Sequence, residues 1–130
     1  MLNTSLDLNA PGKQQGFLQV PYSHNLGGWA NVFVPTTIVA HGTGPTVLVL
    51  GGNHGAEYQG QIAIMKLARE LTPAQVTGRL ILIPSLNFPA ALLGTRVVSH
   101  GPPGSSLKLT LPEDSASRWE HRLRTLGAPG

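Results

Sequence analysis

The residues best suited to chemistry in this chain are His54 and Glu57, three positions apart in the segment GGNHGAEYQG at 51–60. An imidazole nitrogen and a carboxylate oxygen both bind zinc, and catalytic zinc sites combine three protein ligands with one open position. Residues three apart in a helical turn reach the same side, and flanking glycines let the backbone bend sharply. The pair is therefore a candidate for two ligands of a catalytic zinc.

The same residues also fit an ordinary turn between a strand and a helix. Gly51 and Gly52 are common in such turns, and a glutamate at Glu57 is favoured by the helix dipole alone. Asn53 fits either a helix cap or a partner that orients His54. The sequence contains no His-Glu-x-x-His motif. From the spacing alone, the ligand pair and the plain turn both stay open.

Two apolar segments separated by a helical pattern must position this pair. Residues 46–52, TVLVLGG, form a continuous apolar run, which is typical of a strand buried on both faces. From Tyr58 to Pro73 the apolar side chains follow helical spacing, and RLILIP at 79–84 predicts a second buried strand. Strand, helix and strand in this order predict a βαβ unit. The predicted apolar face of the helix contains Ile64, Leu67, Ala68 and Leu71.

In parallel sheets, ligands bind beyond the carboxyl ends of the strands. Residues 51–57 follow the first predicted strand, and residues 87–96 follow the second. Because parallel strands end at the same edge of a sheet, both polar segments are expected to meet there. The sequence therefore predicts an α/β fold with a partial parallel or mixed sheet, and a functional site at this edge.

The segments before this unit predict a less regular arrangement. Residues 1–13 are expected to form a loose leader, and QQGFLQV at 14–20 a short strand. Residues 21–31 are rich in glycine, asparagine and serine and predict a broad loop. The next strand, predicted within 31–45, contains Pro35, which favours an edge position or a bulge.

Composition narrows the class of protein. A chain of 130 residues forms one domain, and its net charge of +3 comes from scattered residues without a basic arm for nucleic acid. Zero cysteines exclude disulfides, thiolate metal sites and a cysteine nucleophile. The sequence has no secretory signal pattern and no apolar run of the roughly 20 residues that span a bilayer. A cytoplasmic protein without nucleic-acid or membrane partners is expected.

The segment GGNHGAEYQG resembles the zinc-binding motif of the succinylglutamate desuccinylase/aspartoacylase family, relatives of the zinc carboxypeptidases. The resemblance continues through LARELTPAQVTGRLILIPSLNFPAALLGTR and covers residues 14–96. Upstream, VPYSHNLGGWANVFVPTTIVAHGTG is similar to the branch that deacetylates N-acetyl-diaminobutyrate in ectoine breakdown. The resemblance implies a truncated zinc-carboxypeptidase-like fold, a Zn²⁺ cofactor, and metal-assisted hydrolysis of the amide bond of a small N-acyl amino acid.

The resemblance also assigns roles to particular residues. His54 and Glu57 match the family's first two zinc ligands. Asn87 and Arg96 match its substrate-side loop, where the guanidinium would bind a carboxylate or polarise the acyl oxygen. From the residues alone, Arg96 also fits a solvated loop arginine, and Asn87 also fits a cap for the helical turn that follows it.

Residues 97–130 depart from the family pattern and are predicted to be an atypical tail, with a composition that fits a shifted reading frame. The family supplies a histidine as third zinc ligand and a glutamate as general base, and no part of this tail resembles either segment. No role is expected for His24, His41, His100, His121, Glu113 or Glu120. We therefore expect the N-terminal part of a zinc deacylase, inactive alone, with exposed sheet edges that favour homo-oligomers. The alternative is a non-catalytic remnant or a small-molecule binding module.

Overall fold

The described residues form five strands and two α-helices. The computed structural model describes residues 3–24 and 28–96, with side chains described outside 22–24 and 28–30. The strands are β1 (Asn3–Thr4), β2 (Gly12–His24), β3 (Gly28–His41), β4 (Thr46–Leu50) and β5 (Gly78–Ile83). The helices are α1 (Tyr58–Glu70) and α2 (Phe88–Leu93), and a short 3₁₀ turn covers Pro73–Gln75.

These strands form one mixed sheet in the order β1-β2-β3-β5-β4. The pairs β1–β2, β2–β3 and β3–β5 are antiparallel, whereas β4 and β5 are parallel. A parallel pair cannot be joined by a tight hairpin and needs a crossover, which α1 supplies between β4 and β5. The predicted α/β class, the mixed sheet and the βαβ unit are confirmed.

The β2–β3 hairpin is much longer than the sequence predicts. β2 extends to His24 and β3 begins at Gly28, and Pro21 pairs with Asn31 within the ladder. The broad loop predicted over residues 21–31 is therefore wrong where the structure describes them. Pairing with a neighbouring strand satisfies backbone groups that an isolated turn leaves to solvent, so tertiary context overrides the local preference of glycine and serine for turns.

Both prolines of the hairpin lie where their strand has an open side. β1 pairs with β2 only at Leu18 and Gln19, which leaves Pro21 beyond that contact. β5 pairs with β3 from Thr37 onward, so Pro35 has a partner on the β2 side alone. A strand can carry a proline, which has no N–H, at such a position without losing a bond on its second side.

β5 lies inside the sheet and is buried on both faces. Ile81 and Ile83 point to one face, whereas Leu80 and Leu82 point to the other, as the two-residue period of a strand requires. The first face packs against Leu6 and against hairpin side chains that include Leu18, Val34 and Ile38. On the second face, Leu82 packs against Ile64 and Ala68 of α1. The prediction of a buried strand at this position is confirmed.

β4, by contrast, is only partly covered. Thr46 and Val47 are exposed, with 45% of Val47 accessible, and the next three residues are half-buried. Among the described residues, β4 has β5 as its one strand neighbour and lies at the edge of the sheet. The expected burial on both faces is therefore wrong, because a continuous apolar run does not distinguish a central strand from an edge strand.

α1 begins at Tyr58, as the sequence predicts, and ends at Glu70 before Pro73. Of its predicted apolar face, Ile64 and Ala68 are buried, while Leu67 is exposed. Gln61, which the apolar pattern omits, is buried with them. Within the described residues, neither helix combines the length and apolar character needed to cross a bilayer.

The segment predicted as a loose leader over residues 1–13 takes part in the fold from residue 3 onward. Leu6 is buried in the core, and β2 already begins at Gly12. The Lys13 Nζ donates hydrogen bonds to the carbonyl oxygens of Arg69 (3.0 Å) and Leu71 (2.8 Å) at the end of α1. A lysine at this point satisfies carbonyls that the helix leaves unpaired and complements the negative end of its dipole.

Candidate functional site

The carboxyl ends of β4 and β5 are joined by backbone hydrogen bonds. The Gly51 N–H donates to the Ile83 carbonyl at 2.9 Å, and the Leu86 N–H donates back to the Gly51 carbonyl at 2.8 Å. The Asn87 N–H continues this pattern by donating to the Gly52 carbonyl at 2.9 Å. The two loops are thus extensions of the parallel pair, and the structure brings the predicted polar segments to one edge.

His54 and Glu57 face each other in the loop after β4. The His54 Nδ1 lies 2.9 Å from the Glu57 Oε1, a hydrogen-bond distance at which the ring N–H donates to the carboxylate. The turn itself is closed by the Glu57 N–H, which donates to the His54 carbonyl at 3.2 Å. The side chains are 29% and 61% exposed, respectively, so an ion or a small molecule can reach both.

Two glycines give this loop its shape. Gly52 has φ of +62°, in the left-handed region that favours glycine. Gly55 lies so close to α2 that a Cβ would overlap the carbonyl carbon and oxygen of Ala90. The loop therefore packs tightly on α2, and its two glycines are required for different reasons: conformation at Gly52 and space at Gly55.

Arg96 is brought to the same pair. Its Nη1 lies 4.0 Å from the Glu57 Oε1, and both side chains are mostly exposed. An exposed ion pair at this distance contributes little to stability, about 0–1 kcal/mol. The arrangement leaves the guanidinium accessible at the edge of the His54–Glu57 pair, where an anionic group of a ligand would meet it.

Asn87 is buried at the start of α2, with 6% of the residue accessible. Its side-chain oxygen accepts a hydrogen bond from the Ala90 N–H at 3.4 Å, and the helix continues with Pro89 near its start. This is the cap that the residues alone allowed. Through that cap Asn87 fixes the beginning of the helix that precedes Arg96.

One residue of this region was missed by the sequence analysis. Gln61 is buried under the loop and hydrogen-bonds to both loops. The signal was available, because positions 61, 64, 68 and 71 share one face of a helix and only the first carries a polar side chain. A polar residue at a core position indicates a specific hydrogen-bonding role.

The His54 and Glu57 donors fit a zinc ion in chemistry and in spacing. Two ligand atoms bound tetrahedrally at about 2.0–2.1 Å stand roughly 3.3 Å apart, and the observed separation of 2.9 Å needs only a small adjustment. Among the described residues, no group of three or more histidine, aspartate or glutamate side chains is assembled for a metal. The pair therefore offers two donor atoms, one fewer than the three protein ligands of a catalytic zinc site.

The remaining candidates lie elsewhere. His41 is exposed at the end of β3, near the amino ends of β4 and β5, as expected for a histidine in a turn. The side chain of His24 lies outside the described residues. So do the predicted tail at 97–130 and its candidates, which are His100, Glu113, Glu120 and His121.

Comparison with known proteins shows which family the region of the candidate site resembles. Residues 43–105 match the family described as the succinylglutamate desuccinylase/aspartoacylase catalytic domain. Residues 43–105 are thus similar to the catalytic domain of the succinylglutamate desuccinylase/aspartoacylase family. The match includes His54, Glu57, Asn87 and Arg96, and runs on into the segment predicted as a tail. The resemblance stated from GGNHGAEYQG is confirmed.

A curated relative supports the same family. Over 113 residues the chain is 40% identical to the N-alpha-acetyl-L-2,4-diaminobutyric acid deacetylase of Halomonas elongata. That alignment covers 87% of this chain and 32% of the deacetylase. The chain therefore spans about a third of the length of this relative.

Solved structures of the family share the fold. The product-bound ectoine utilization protein EutE (DoeB) from Ruegeria pomeroyi gives a TM-score of 0.76 at 33% identity, covering 96% of this chain and 40% of that protein. The succinylglutamate desuccinylase/aspartoacylase from Rhodobacter sphaeroides gives a TM-score of 0.67 at 47% identity, covering 74% and 29%. The mixed α/β sheet of this chain is thus a shared feature of the family fold.

Proposed function

We propose that this chain carries part of the active site of a zinc-dependent hydrolase that removes the acyl group from a small N-acyl amino acid. The observation that carries the proposal is the 2.9 Å approach of the His54 Nδ1 and the Glu57 Oε1 at the carboxyl end of β4. The family of residues 43–105 supports a deacylating reaction, and the name of the Halomonas relative favours a deacetylase.

In this proposal His54 and Glu57 hold the zinc, which would polarise a water molecule for attack on the amide carbonyl. Their partial exposure would allow a substrate to reach both donor groups from solvent. The backbone bonds between the two loops keep both donors at the end of a rigid strand pair, so little reorganisation is needed on binding.

Arg96 is proposed to bind the substrate carboxylate or the acyl oxygen. Its guanidinium lies at the edge of the ligand pair and can offer two parallel N–H donors to a carboxylate. Asn87 is proposed to act on the substrate side together with Arg96. It caps α2 and so fixes the start of the helix that leads to Arg96.

Zinc uptake by the 130-residue chain tests the proposal directly. After equilibrium dialysis against zinc, we expect about one bound equivalent per chain and its loss in His54→Ala. His41→Ala is the matched control, because His41 is an exposed histidine at the opposite end of the sheet. Equal zinc content in both variants, or none in the unchanged chain, would overturn the proposed metal site and favour a binding module without a metal.

Acetate release from N-acetyl-diaminobutyrate is expected to be very slow even with zinc present. A third zinc ligand is not assembled among the described residues. With two ligands in place of three, both the affinity for zinc and the activation of water are expected to be weaker. Rapid zinc-dependent release by the purified chain would show that residues outside the described ranges, or a second copy, complete the site.

A further inference from the structure

Gln61 is the polar exception on the buried face of α1. It shares that face with Ile64 and Ala68, and only 7% of the residue is accessible. Burying an amide without hydrogen-bond partners costs on the order of 1–3 kcal/mol. A buried glutamine in the second turn of a helix therefore has to find its partners nearby, and their location shows what the residue does.

The partners of Gln61 lie in the two loops at the carboxyl ends of β4 and β5. Its Nε2 donates to the carbonyl oxygens of Gly55 and Glu57, each at 3.1 Å. Its Oε1 accepts a hydrogen bond from the Ser85 hydroxyl at 2.9 Å. Both N–H donors and the acceptor are thus used, which accounts for three of the four bonds that a glutamine amide can make.

Two of these bonds end on the turn that carries the two candidate ligands. The Gly55 carbonyl follows His54 by one residue, and the second carbonyl belongs to Glu57 itself. The Cγ and the amide carbon Cδ of Gln61 also fill the space beside Gly52, where a Cβ would stand 3.0 Å from each of them. One side chain therefore contacts the beginning, the middle and the end of the loop.

Ser85 ties this contact to the other strand. It is buried two residues after the end of β5, and its hydroxyl is the one that donates to Gln61. Through the glutamine, the end of β5 and the loop after β4 are held in one geometry by side chains, in addition to the backbone bonds between them. None of these three hydrogen bonds is made to the His54 imidazole or the Glu57 carboxylate.

We propose that Gln61, braced by Ser85, is a positioning residue that fixes the His54–Glu57 turn in the geometry that captures the metal. The inference rests on the proposed zinc site, and it assigns to a helix residue the task of orienting ligands through their backbone. Mutation of groups that orient metal ligands from behind typically lowers metal affinity by about 10–100-fold. Such orientation has to be in place before the metal arrives, which a buried amide with fixed partners provides.

Gln61→Leu and Gln59→Leu form the matched pair of variants. Both remove an amide from the same stretch of α1 and add a leucine, but Gln59 is exposed. Two measurements apply to each full-length variant: zinc affinity by competition with a chromophoric chelator, and amide hydrogen exchange by NMR in the absence of metal. Ser85→Ala is the milder third variant, since it removes only the hydroxyl that braces Gln61.

For Gln61→Leu we expect zinc affinity to fall by about 10–100-fold and exchange of the Glu57 amide to accelerate. Exchange in β5, at Leu82 for example, should stay unchanged. Gln59→Leu should change neither quantity, and Ser85→Ala should give a smaller effect in the same direction. If Gln61→Leu does not fold, the Ser85→Ala result decides.

Unchanged zinc affinity in a folded Gln61→Leu variant, or equal acceleration of exchange at Glu57 and throughout β5, would overturn the inference. The second outcome would mean that Gln61 supports the whole domain and not the turn. If the unchanged chain takes up no zinc, the proposed zinc site fails, and the exchange contrast between the turn and β5 then decides separately whether Gln61 positions the turn.

Discussion

The two ends of the β4–β5 pair carry similar residues but are closed in different ways. At the carboxyl ends, three backbone hydrogen bonds join the loops, and His54 meets Glu57 at 2.9 Å. At the amino ends, a crevice of about 320 Å³ is lined by His41 and Arg79 together with mostly small residues. Each end therefore has a histidine and an arginine among glycines.

The difference between the ends is what the basic residues face. At the carboxyl end, the histidine and Arg96 both approach the carboxylate of Glu57. The described residues that line the crevice at the amino end include no carboxylate, and the Arg79 Nη1 reaches only the Thr46 hydroxyl at 3.4 Å. A histidine near an arginine thus becomes a candidate metal site only where the backbone also holds an acidic ligand beside them.

The largest difference in stability is expected between two alanine variants, Gly55→Ala at the carboxyl end and Gly42→Ala at the amino end. In Gly55→Ala the new methyl group overlaps the backbone of Ala90, which cannot move as a side-chain tip can, so we expect a loss of at least about 3 kcal/mol. In Gly42→Ala nothing lies within 4 Å, and only the φ of +65° is unfavourable, with a cost of about 1 kcal/mol. Urea denaturation of both variants measures the difference, and equal losses would contradict the tight packing of the loop on α2.

A smaller difference in stability is expected between alanine variants of the two helix caps, Asn87 at the carboxyl end and Thr72 at the amino end. Asn87→Ala removes a buried acceptor from the Ala90 N–H at the start of α2, and we expect a loss of about 1–2 kcal/mol. Thr72→Ala removes an exposed hydroxyl that bonds to Gln75 before the amino end of β5, with an expected loss of about 0.5 kcal/mol. Thermal and urea unfolding provide the comparison, and a larger loss for Thr72→Ala would reverse the ranking of the two ends.

The smallest effect on stability is expected for Lys13, whose side chain caps the carboxyl end of α1. Lys13→Met removes two hydrogen bonds to the carbonyls of Arg69 and Leu71, and we expect a loss of about 0.3–1 kcal/mol. Lys66→Met is the matched control, since it removes an exposed lysine that lies in α1 itself. Lysine and methionine have similar helix propensities. A greater loss in the control would show that the charge on α1 matters more than the cap at its end.

The strands show where prediction from sequence stops. β4 (TVLVL) and β5 (RLILI in its last five residues) have nearly the same apolar character. β5 is central because β3 pairs with it over Thr37–His41, and β4 is left at the edge. Lateral order depends on contacts between distant segments, and a local pattern of side chains contains no information on which strand acquires two neighbours.

The prolines and glycines of the hairpin illustrate the same limit. Local turn preferences predicted a loop over residues 21–31, whereas ladder pairing carries β2 to His24 and resumes β3 at Gly28. The residues expected to form a leader are likewise held by distant partners, through Leu6 in the core and Lys13 at the end of α1. Tertiary contacts overrode weak local preferences in both segments.

From the sequence alone one can read the βαβ unit, the spacing of His54 and Glu57, and the resemblance of residues 43–105 to the succinylglutamate desuccinylase/aspartoacylase family. These features are local, because helical period, strand composition and a short motif are each read within a few turns of chain. The approach of Arg96 to Glu57 and the hydrogen bonds of Gln61 to both loops are seen only in the folded structure. Those contacts join segments that meet only when the parallel strands align, so their geometry follows from the packed fold.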